Sequence, residues 1–192
     1  MKKLLIVLVL VMVLAVAGLA EVQHLQNITV KLPTGTGFHI GNGRILTAAH
    51  LIKPYMENAI WVKNGEHGMV ARLIKIDREL DLALLGVEKT NYPEILLKLE
   101  TEVDEGVISV VNFGLFEDIF LRGKVVGYGY YKDREYIVID MTIIPGMSGA
   151  GVFSGGKLIG IVRLLYGDTG RKVGDFVALI IPAKTIKKFL EE

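Results

Sequence analysis

The chain has 192 residues, of which 51% are hydrophobic, and its 22 basic and 21 acidic residues leave a net charge of +1. This length is sufficient for one domain with a substantial core, or for two small barrels packed together. The absence of cysteine excludes a fold held by disulfides. No basic block or basic patch interleaved with aromatic residues is present, so nothing in the sequence indicates nucleic-acid binding.

The first twenty residues have the pattern of an export segment. Lys2 and Lys3 precede an apolar run from Leu4 to Ala17, and Gly18-Leu19-Ala20 follows it. A charged start, an apolar centre and small residues before a cut after Ala20 are typical of a signal peptide. The run is also at the lower limit for spanning a membrane, so residues 4–20 are either cleaved or kept as an anchor. In both cases we expect residues 21–192 outside the cytoplasm, either secreted, periplasmic or in the cell envelope.

The residues after this segment predict a first set of six strands. Short apolar or alternating runs are separated by turns rich in Gly, Asn, Asp and Lys. The predicted strands are Asn27–Lys31, Gly37–Ile40, Arg44–Ala48, Ala59–Val62, Met69–Asp77 and Leu82–Val87. A polar, proline-containing stretch from Glu88 to Pro93 then begins a connection, so the first barrel is expected at about residues 27–90.

A second set of six strands follows, and only the end of the chain has a helical pattern. The predicted strands are Val107–Asn112, Gly123–Tyr130, Tyr136–Asp140, Gly151–Phe153, Lys157–Leu164 and Phe176–Ile181. From Pro182 to Leu190 the spacing places Ile186, Phe189 and Leu190 on one helix face. We expect a second barrel at about residues 105–182 and a helix at about 183–191.

Three separated motifs carry residues that together perform nucleophilic catalysis. They are Thr47-Ala48-Ala49-His50, Asp81-Leu82-Ala83-Leu84-Leu85 and Pro145-Gly146-Met147-Ser148-Gly149. A serine hydroxyl needs an imidazole to take its proton, and the imidazole needs a carboxylate to fix its tautomer. The motifs are far apart in the sequence, so the fold must bring them together.

Each of the three residues alone also has an ordinary structural interpretation. His50 could be a core histidine, Ser148 a turn serine, and Asp81 a turn carboxylate. Asp77 is a competing candidate for the acid. Asp81 is favoured because it directly precedes an apolar run, where a buried carboxylate requires a partner such as His50. The presence of all three residues in this order predicts a serine peptidase.

Residues 35–50, 77–87 and 139–162 resemble the trypsin-like serine peptidases, and most closely their HtrA/Deg branch. The shared features are a glycine-rich strand, Ile-Leu-Thr before the histidine, Asp-x-Ala-Leu-Leu and Pro-Gly-x-Ser-Gly. Asn112-Phe113-Gly114 and Gly123–Val126 resemble strands of the second barrel of that family. The resemblance implies an all-β fold of two six-stranded antiparallel barrels with a short C-terminal α-helix. It also implies an exported serine endopeptidase acting through an acyl-enzyme, here without a PDZ domain.

The resemblance assigns expected roles to individual residues. The expected sites are catalytic His50, Asp81 and Ser148; oxyanion-hole N–H groups of Gly146 and Ser148; and substrate-binding Thr142, Arg163, Leu164 and Leu165. Thr142 would lie at the floor of the specificity pocket, with residues 163–165 forming a wall that pairs with substrate backbone. Because this floor lacks an acidic residue, we expect a preference for small or medium aliphatic side chains.

The sequence departs from the family pattern at three positions. Ala150 replaces a glycine after the serine and disfavours a positive φ. Met147 replaces the aspartate that pairs with a newly cut N-terminus in digestive members, so activation by N-terminal insertion is not expected. Arg163 replaces a small polar residue that supports the acid in many relatives, and the sequence gives no reason for this substitution.

Two other functions are open at this point. A catalytically inactive barrel of this type could bind extended peptides, and a structural envelope protein would explain the export segment but none of the motifs. No cofactor is expected, and His24, His39 and His67 lack the spacing of metal ligands. The expected partners are polypeptide substrates. A trimer is possible by family analogy, although residues 21–30 lack the aromatic side chains that often build it.

Overall fold

The computed structural model describes residues 2–56, 59–88, 92–113, 116–163 and 178–192. Within them, the strands form two closed barrels of six antiparallel strands each, in the same order. The first comprises β1 (Thr29–Leu32), β2 (Gly35–Gly41), β3 (Arg44–Ala48), β4 (Ile60–Asn64), β5 (His67–Asp77) and β6 (Leu82–Gly86). The second comprises β7 (Gly106–Phe113), β8 (Phe116–Tyr131), β9 (Arg134–Asp140), β10 (Gly151–Ser154), β11 (Lys157–Arg163) and β12 (Ala178–Pro182). The predicted fold of two six-stranded barrels is confirmed.

Three apolar clusters hold the fold together. One fills the first barrel and one the second, as expected when alternate side chains of each strand point inward. A third cluster contains residues of both barrels, among them Phe38 of β2 and Phe153 of β10, whose rings meet edge to face at 5.8 Å. The predicted C-terminal helix, α2 (Ala183–Glu191), inserts Ile186 and Phe189 into this shared cluster. The barrels are therefore joined through a common core.

An N-terminal helix, α1 (Lys2–Ile28), extends further than the sequence pattern indicated. Leu25 and Ile28, three positions apart, are fully buried in the cluster shared by the barrels. The prediction of a strand from Asn27 is therefore wrong, as is the expectation that only the C-terminal end is helical after the export segment. The Thr29 hydroxyl donates to the carbonyl of Leu25 at 2.6 Å, where the helix gives way to β1.

The long strand β8 also differs from the prediction, because it begins at Phe116 rather than at Gly123. Its first half pairs with β7 and its second half with β9, with a register shift between Val125 and Gly127 on the β9 side. The polar residues of its first half obscured the strand pattern in the sequence. The predicted strand ends at Leu164 and Phe176 lie outside the described residues.

Candidate active site

His50 and Asp81 are brought together by the pairing of β3 with β6. His50 follows β3 in a short 3-10 turn, and Asp81 directly precedes β6. Because Ala48 pairs with Leu82 across these strands, the turn after one strand lies beside the turn before the other. The Ala49 N–H donates to the Asp81 carbonyl at 3.1 Å, which fixes the two turns together.

The carboxylate of Asp81 contacts His50 at both its backbone and its ring. Oδ1 accepts the His50 backbone N–H at 2.9 Å, and Nδ1 of the ring lies 3.0 Å from Oδ1 and 2.9 Å from Oδ2. The Asp81 side chain is 7% exposed while that of His50 is 43% exposed. The ring therefore presents its other nitrogen, Nε2, away from the carboxylate. This arrangement fixes the ring tautomer with a proton on Nδ1, as a general base requires.

The competing carboxylate, Asp77, has a different environment. Its Oδ1 accepts the backbone N–H groups of Glu79 and Leu80 at 2.8 Å and 2.7 Å, so it stabilises the turn between β5 and β6. That turn carries Asp81 with a φ of +62°, a left-handed conformation that aspartate tolerates better than most residues. Asp77 thus holds the loop from which Asp81 reaches His50.

Ser148 lies in a turn between two glycines with left-handed backbone, Gly146 at φ +88° and Gly149 at φ +82°. A Cβ on Gly149 would lie 2.3 Å from the Thr36 carbonyl oxygen and 2.9 Å from the Ala48 nitrogen, so only glycine fits there. This close approach places the serine turn against the end of β3, where the His50 turn begins. The Ser148 hydroxyl makes no hydrogen bond to any described residue. In peptidases, the hydrogen bond between serine and histidine is often long when no substrate is bound.

Thr36, to which the sequence motifs assign no role, holds the serine turn in place. Its hydroxyl donates to the carbonyl of Gly146 at 2.7 Å, and its backbone N–H donates to the carbonyl of Ser148 at 3.0 Å. The hydroxyl also accepts the backbone N–H of Asn112 at 3.2 Å, and the Thr36 side chain is fully buried. The only sequence signal is a small polar residue between two glycines at the start of β2.

These contacts leave the N–H groups of Gly146 and Ser148 free. Neither donates a hydrogen bond to a group within the described ranges. Thr36 forms hydrogen bonds to the carbonyls of two peptide groups, 146–147 and 148–149. The two free N–H groups belong to the peptide groups that precede each of these. Two free N–H groups on a tightly held turn beside a serine have the chemistry of an oxyanion hole.

The residues at which the sequence departs from the family pattern have clear structural surroundings. The side chain of Met147 is fully buried in the core of the second barrel, and its Sδ accepts the N–H of Ile144 at 3.2 Å. Ala150 does not have a positive φ, and its carbonyl accepts the N–H of Val162 at 2.9 Å. The turn therefore does not require at Ala150 the positive φ that alanine disfavours.

Arg163, at the end of β11, points its side chain toward the candidate acid. Its Nε lies 3.3 Å from Oδ2 of Asp81, and its Nη1 donates to the hydroxyl of Tyr136. Of the other predicted pocket residues, Thr142 is exposed on the segment before the serine turn. Leu164 and Leu165 lie outside the described residues, so the specificity pocket stays a prediction.

A family model described as a trypsin-like peptidase domain matches residues 35–161, which include all three motifs. The chain belongs to the trypsin-like peptidase family. It is 31% identical over 157 residues to the "Probable periplasmic serine endoprotease DegP-like" of Hahella chejuensis, covering 78% of this chain and 33% of that protein. It is 27% identical over 173 residues to "Protease Do-like 2, chloroplastic" of Arabidopsis thaliana, covering 83% of this chain and 28% of that protein. The chain thus spans about a third of the length of these relatives.

Solved structures show the same fold. The Rv3671c protease of M. tuberculosis matches with a TM-score of 0.77 in its active form, over 92% of this chain and 85% of that one, at 18% identity. Its inactive form matches with a TM-score of 0.76, over 92% of this chain and 94% of that one, at 20% identity. The overall fold is therefore similar to both forms.

Proposed function

We propose that this chain is a serine endopeptidase that cleaves polypeptides outside the cytoplasm, with Ser148, His50 and Asp81 as its catalytic residues. The observation that carries the proposal is the contact of His50 Nδ1 with the Asp81 carboxylate at 2.9 Å, next to the tightly held turn of Ser148. A buried carboxylate that orients a half-exposed imidazole leaves Nε2 free to accept a proton from a serine.

In the proposed reaction, Ser148 Oγ attacks the carbonyl carbon of a peptide bond while its proton passes to His50 Nε2. His50 then gives this proton to the leaving amine nitrogen, the C–N bond breaks, and the acyl group stays on Ser148. A water molecule then attacks the acyl carbon while His50 takes one of its protons. His50 passes this proton to Ser148 Oγ as the bond between the acyl carbon and Oγ breaks, so the carboxylic acid leaves and the Ser148 hydroxyl is restored. Asp81 stays ionised and stabilises the imidazolium in both halves. The N–H groups of Gly146 and Ser148 stabilise the oxyanion in each step.

We expect the enzyme to be active as folded, without proteolytic activation. Burial of the Met147 side chain in the second barrel anchors the centre of the serine turn, and Thr36 holds its two flanking carbonyls. In digestive members, an ion pair with a cut N-terminus orders this turn. Here we expect the contacts of Met147 and Thr36 to order it instead. Substrates are expected to be extended or unfolded chains with a small or medium aliphatic residue before the cleaved bond, next to Thr142 and residues 163–165.

We further infer that α1 is retained as a membrane anchor. The helix continues through the predicted cut after Ala20, and by length and composition its stretch Leu4–Ile28 could cross a membrane. Residues 4–20 are the part of this stretch that precedes the contacts with the barrels. The Glu21 carboxylate accepts the N–H of Gly156 in the β10–β11 turn at 2.9 Å, and Leu25 is fully buried. A continuous helix that ends in the shared core would hold the catalytic domain close to the membrane surface.

The decisive experiment compares the full chain in detergent micelles with Ser148→Ala. Casein cleavage and labelling by a fluorophosphonate probe should both occur in the parent. Removal of the nucleophile should lower turnover by about 10⁴- to 10⁶-fold and abolish labelling. Ser154→Ala is the matched control, since this serine lies on the same barrel away from the candidate site, and it should keep both activities. A folded parent that is not labelled would contradict the proposal and favour a barrel that only binds peptides.

A further inference from the structure

The ion pair between Arg163 and Asp81 is unlike a surface salt bridge. The Asp81 side chain is 7% exposed and that of Arg163 is 20% exposed, so both charges are largely removed from water. The Tyr136 hydroxyl, which accepts from Nη1, fixes the other side of the guanidinium, and Tyr136 itself is buried. A guanidinium held at two points is a rigid and permanent positive charge. Such a pair affects its neighbours more strongly than an exposed pair does.

Arg163 and His50 share the same carboxylate oxygen. Oδ2 of Asp81 lies 2.9 Å from Nδ1 of His50 and 3.3 Å from Nε of Arg163. The imidazole and the guanidinium are therefore within about 6 Å of each other, a distance at which two positive charges repel measurably in a partly buried site. A protonated His50 would have to share its counter-ion with a group that never loses its charge.

We propose that Arg163 is a positioning residue for Asp81 that also extends the activity of the enzyme toward lower pH. This inference rests on the proposed function, since it concerns the base of that mechanism. The guanidinium fixes the orientation of the Asp81 carboxylate from the second barrel. Its charge opposes a second positive charge on the ring that shares Oδ2 with it, so the activity should extend to lower pH than it would with an uncharged residue at this position.

The charged residues close to Asp81 in the sequence have other hydrogen-bond or ion-pair partners. Asp77 accepts two backbone N–H groups of its own turn, and Glu79 pairs with an arginine of β9. Arg78 directs Nη1 to a backbone carbonyl of the first barrel. Among the described residues, Arg163 is thus the charged side chain, besides the histidine, that makes a direct contact with the Asp81 carboxylate.

The test compares Arg163→Gln, which removes the charge but keeps hydrogen-bond donors, with Arg163→Lys, which keeps the charge. The first measurement is the rate of fluorophosphonate labelling of the full chain as a function of pH. With glutamine, the pH at which the labelling rate is half-maximal on the acidic side should rise by about one unit. At a pH below this midpoint, labelling should then be about ten-fold slower than in the parent. With lysine, the midpoint should stay near that of the parent.

A second measurement does not depend on activity. NMR titration of the His50 ring in the Ser148→Ala chain, with and without Arg163→Gln, should show the same upward movement of the midpoint. If labelling falls at all pH values while the labelling midpoint and the NMR midpoint stay in place, Arg163 has only a structural role and the inference is wrong. If the parent is never labelled but the midpoint moves, the charge effect stands and the proposed peptidase function fails.

Discussion

Replacing Thr36 with valine would test whether the serine turn is set by the first barrel. Valine has nearly the same shape as threonine, so the change removes one hydroxyl and leaves the backbone of β2 in place. The hydroxyl donates to the Gly146 carbonyl at 2.7 Å and accepts the Asn112 N–H at 3.2 Å. The contact of the Thr36 backbone N–H with the Ser148 carbonyl at 3.0 Å should persist. The variant therefore releases one end of the turn only.

The expected effect follows from the burial of these groups. A buried acceptor or donor left without a partner costs about 1–3 kcal/mol, and the variant leaves one of each. Without its hydrogen bond to Thr36, the Gly146 carbonyl is held less firmly, and this loosens the peptide next to the N–H of Gly146, a proposed oxyanion-hole donor. A loss of about 1–3 kcal/mol in the ordering of that turn corresponds to a fall in kcat of about 5- to 150-fold. Most of this range lies below the loss of about 10²–10³-fold that is typical when one oxyanion donor is removed outright.

The assay is the rate of casein cleavage and of fluorophosphonate labelling, with the thermal midpoint of each variant as a check on folding. Thr36→Ser is the matched control, because it keeps the hydroxyl and loses a methyl group instead. The serine variant should retain most of its activity, even where its stability falls as far as that of the valine variant. Full activity in a folded Thr36→Val chain, or an equal loss in Thr36→Ser, would refute the reasoning.

Two further predictions concern stability and location. His39 is fully buried, stacks on Tyr92 at a ring distance of 4.0 Å, and has no hydrogen-bond partner for either ring nitrogen within the described residues. Burial lowers its pKa to about 4, so stability should be complete above about pH 6.5 and fall as the pH drops toward 4, by about 3 kcal/mol. Urea unfolding at pH 7 and pH 4.5 should show that the free energy of unfolding falls less for His39→Phe than for the parent. The control His67→Gln changes an exposed histidine and should lose as much stability as the parent. If His39→Phe also loses as much as the parent, this assignment is wrong. The full chain should stay in the membrane pellet after alkaline carbonate extraction, and recovery from cells of a soluble chain beginning at Glu21 would show that α1 is cleaved.

The sequence was sufficient for the barrels because their strands have short apolar runs separated by turn residues, and because three motifs carried a family resemblance. It was insufficient for α1. The spacing of Leu25 and Ile28 is helical, but two such residues beside β-branched Thr29 and Val30 do not distinguish a helix end from a strand start. The burial of both residues in the core shared by the barrels decides in favour of the helix. That core is formed by residues of both barrels, so it cannot be predicted from residues 21–28 alone.

For the candidate site, the sequence supplied the residue types but not the contacts that position them. Thr36 lies 110 residues from Gly146, and the guanidinium of Arg163 reaches Asp81 from the other barrel. No local pattern reports on contacts over such separations. Arg163 illustrates the difference most clearly: as a sequence substitution it had no explanation, whereas in the structure it pairs with the expected acid.

These long-range contacts also indicate where the site is vulnerable. Thr36 belongs to the first barrel and holds the turn of the second, while Arg163 belongs to the second and holds the acid of the first. Each barrel therefore orients the candidate catalytic residue that the other contributes. Ser148 and His50 belong to different barrels, so a small shift between the barrels would change the distance between these two residues while each barrel kept its own core. The activity of this chain should accordingly depend on the packing between the barrels more than on the stability of either one.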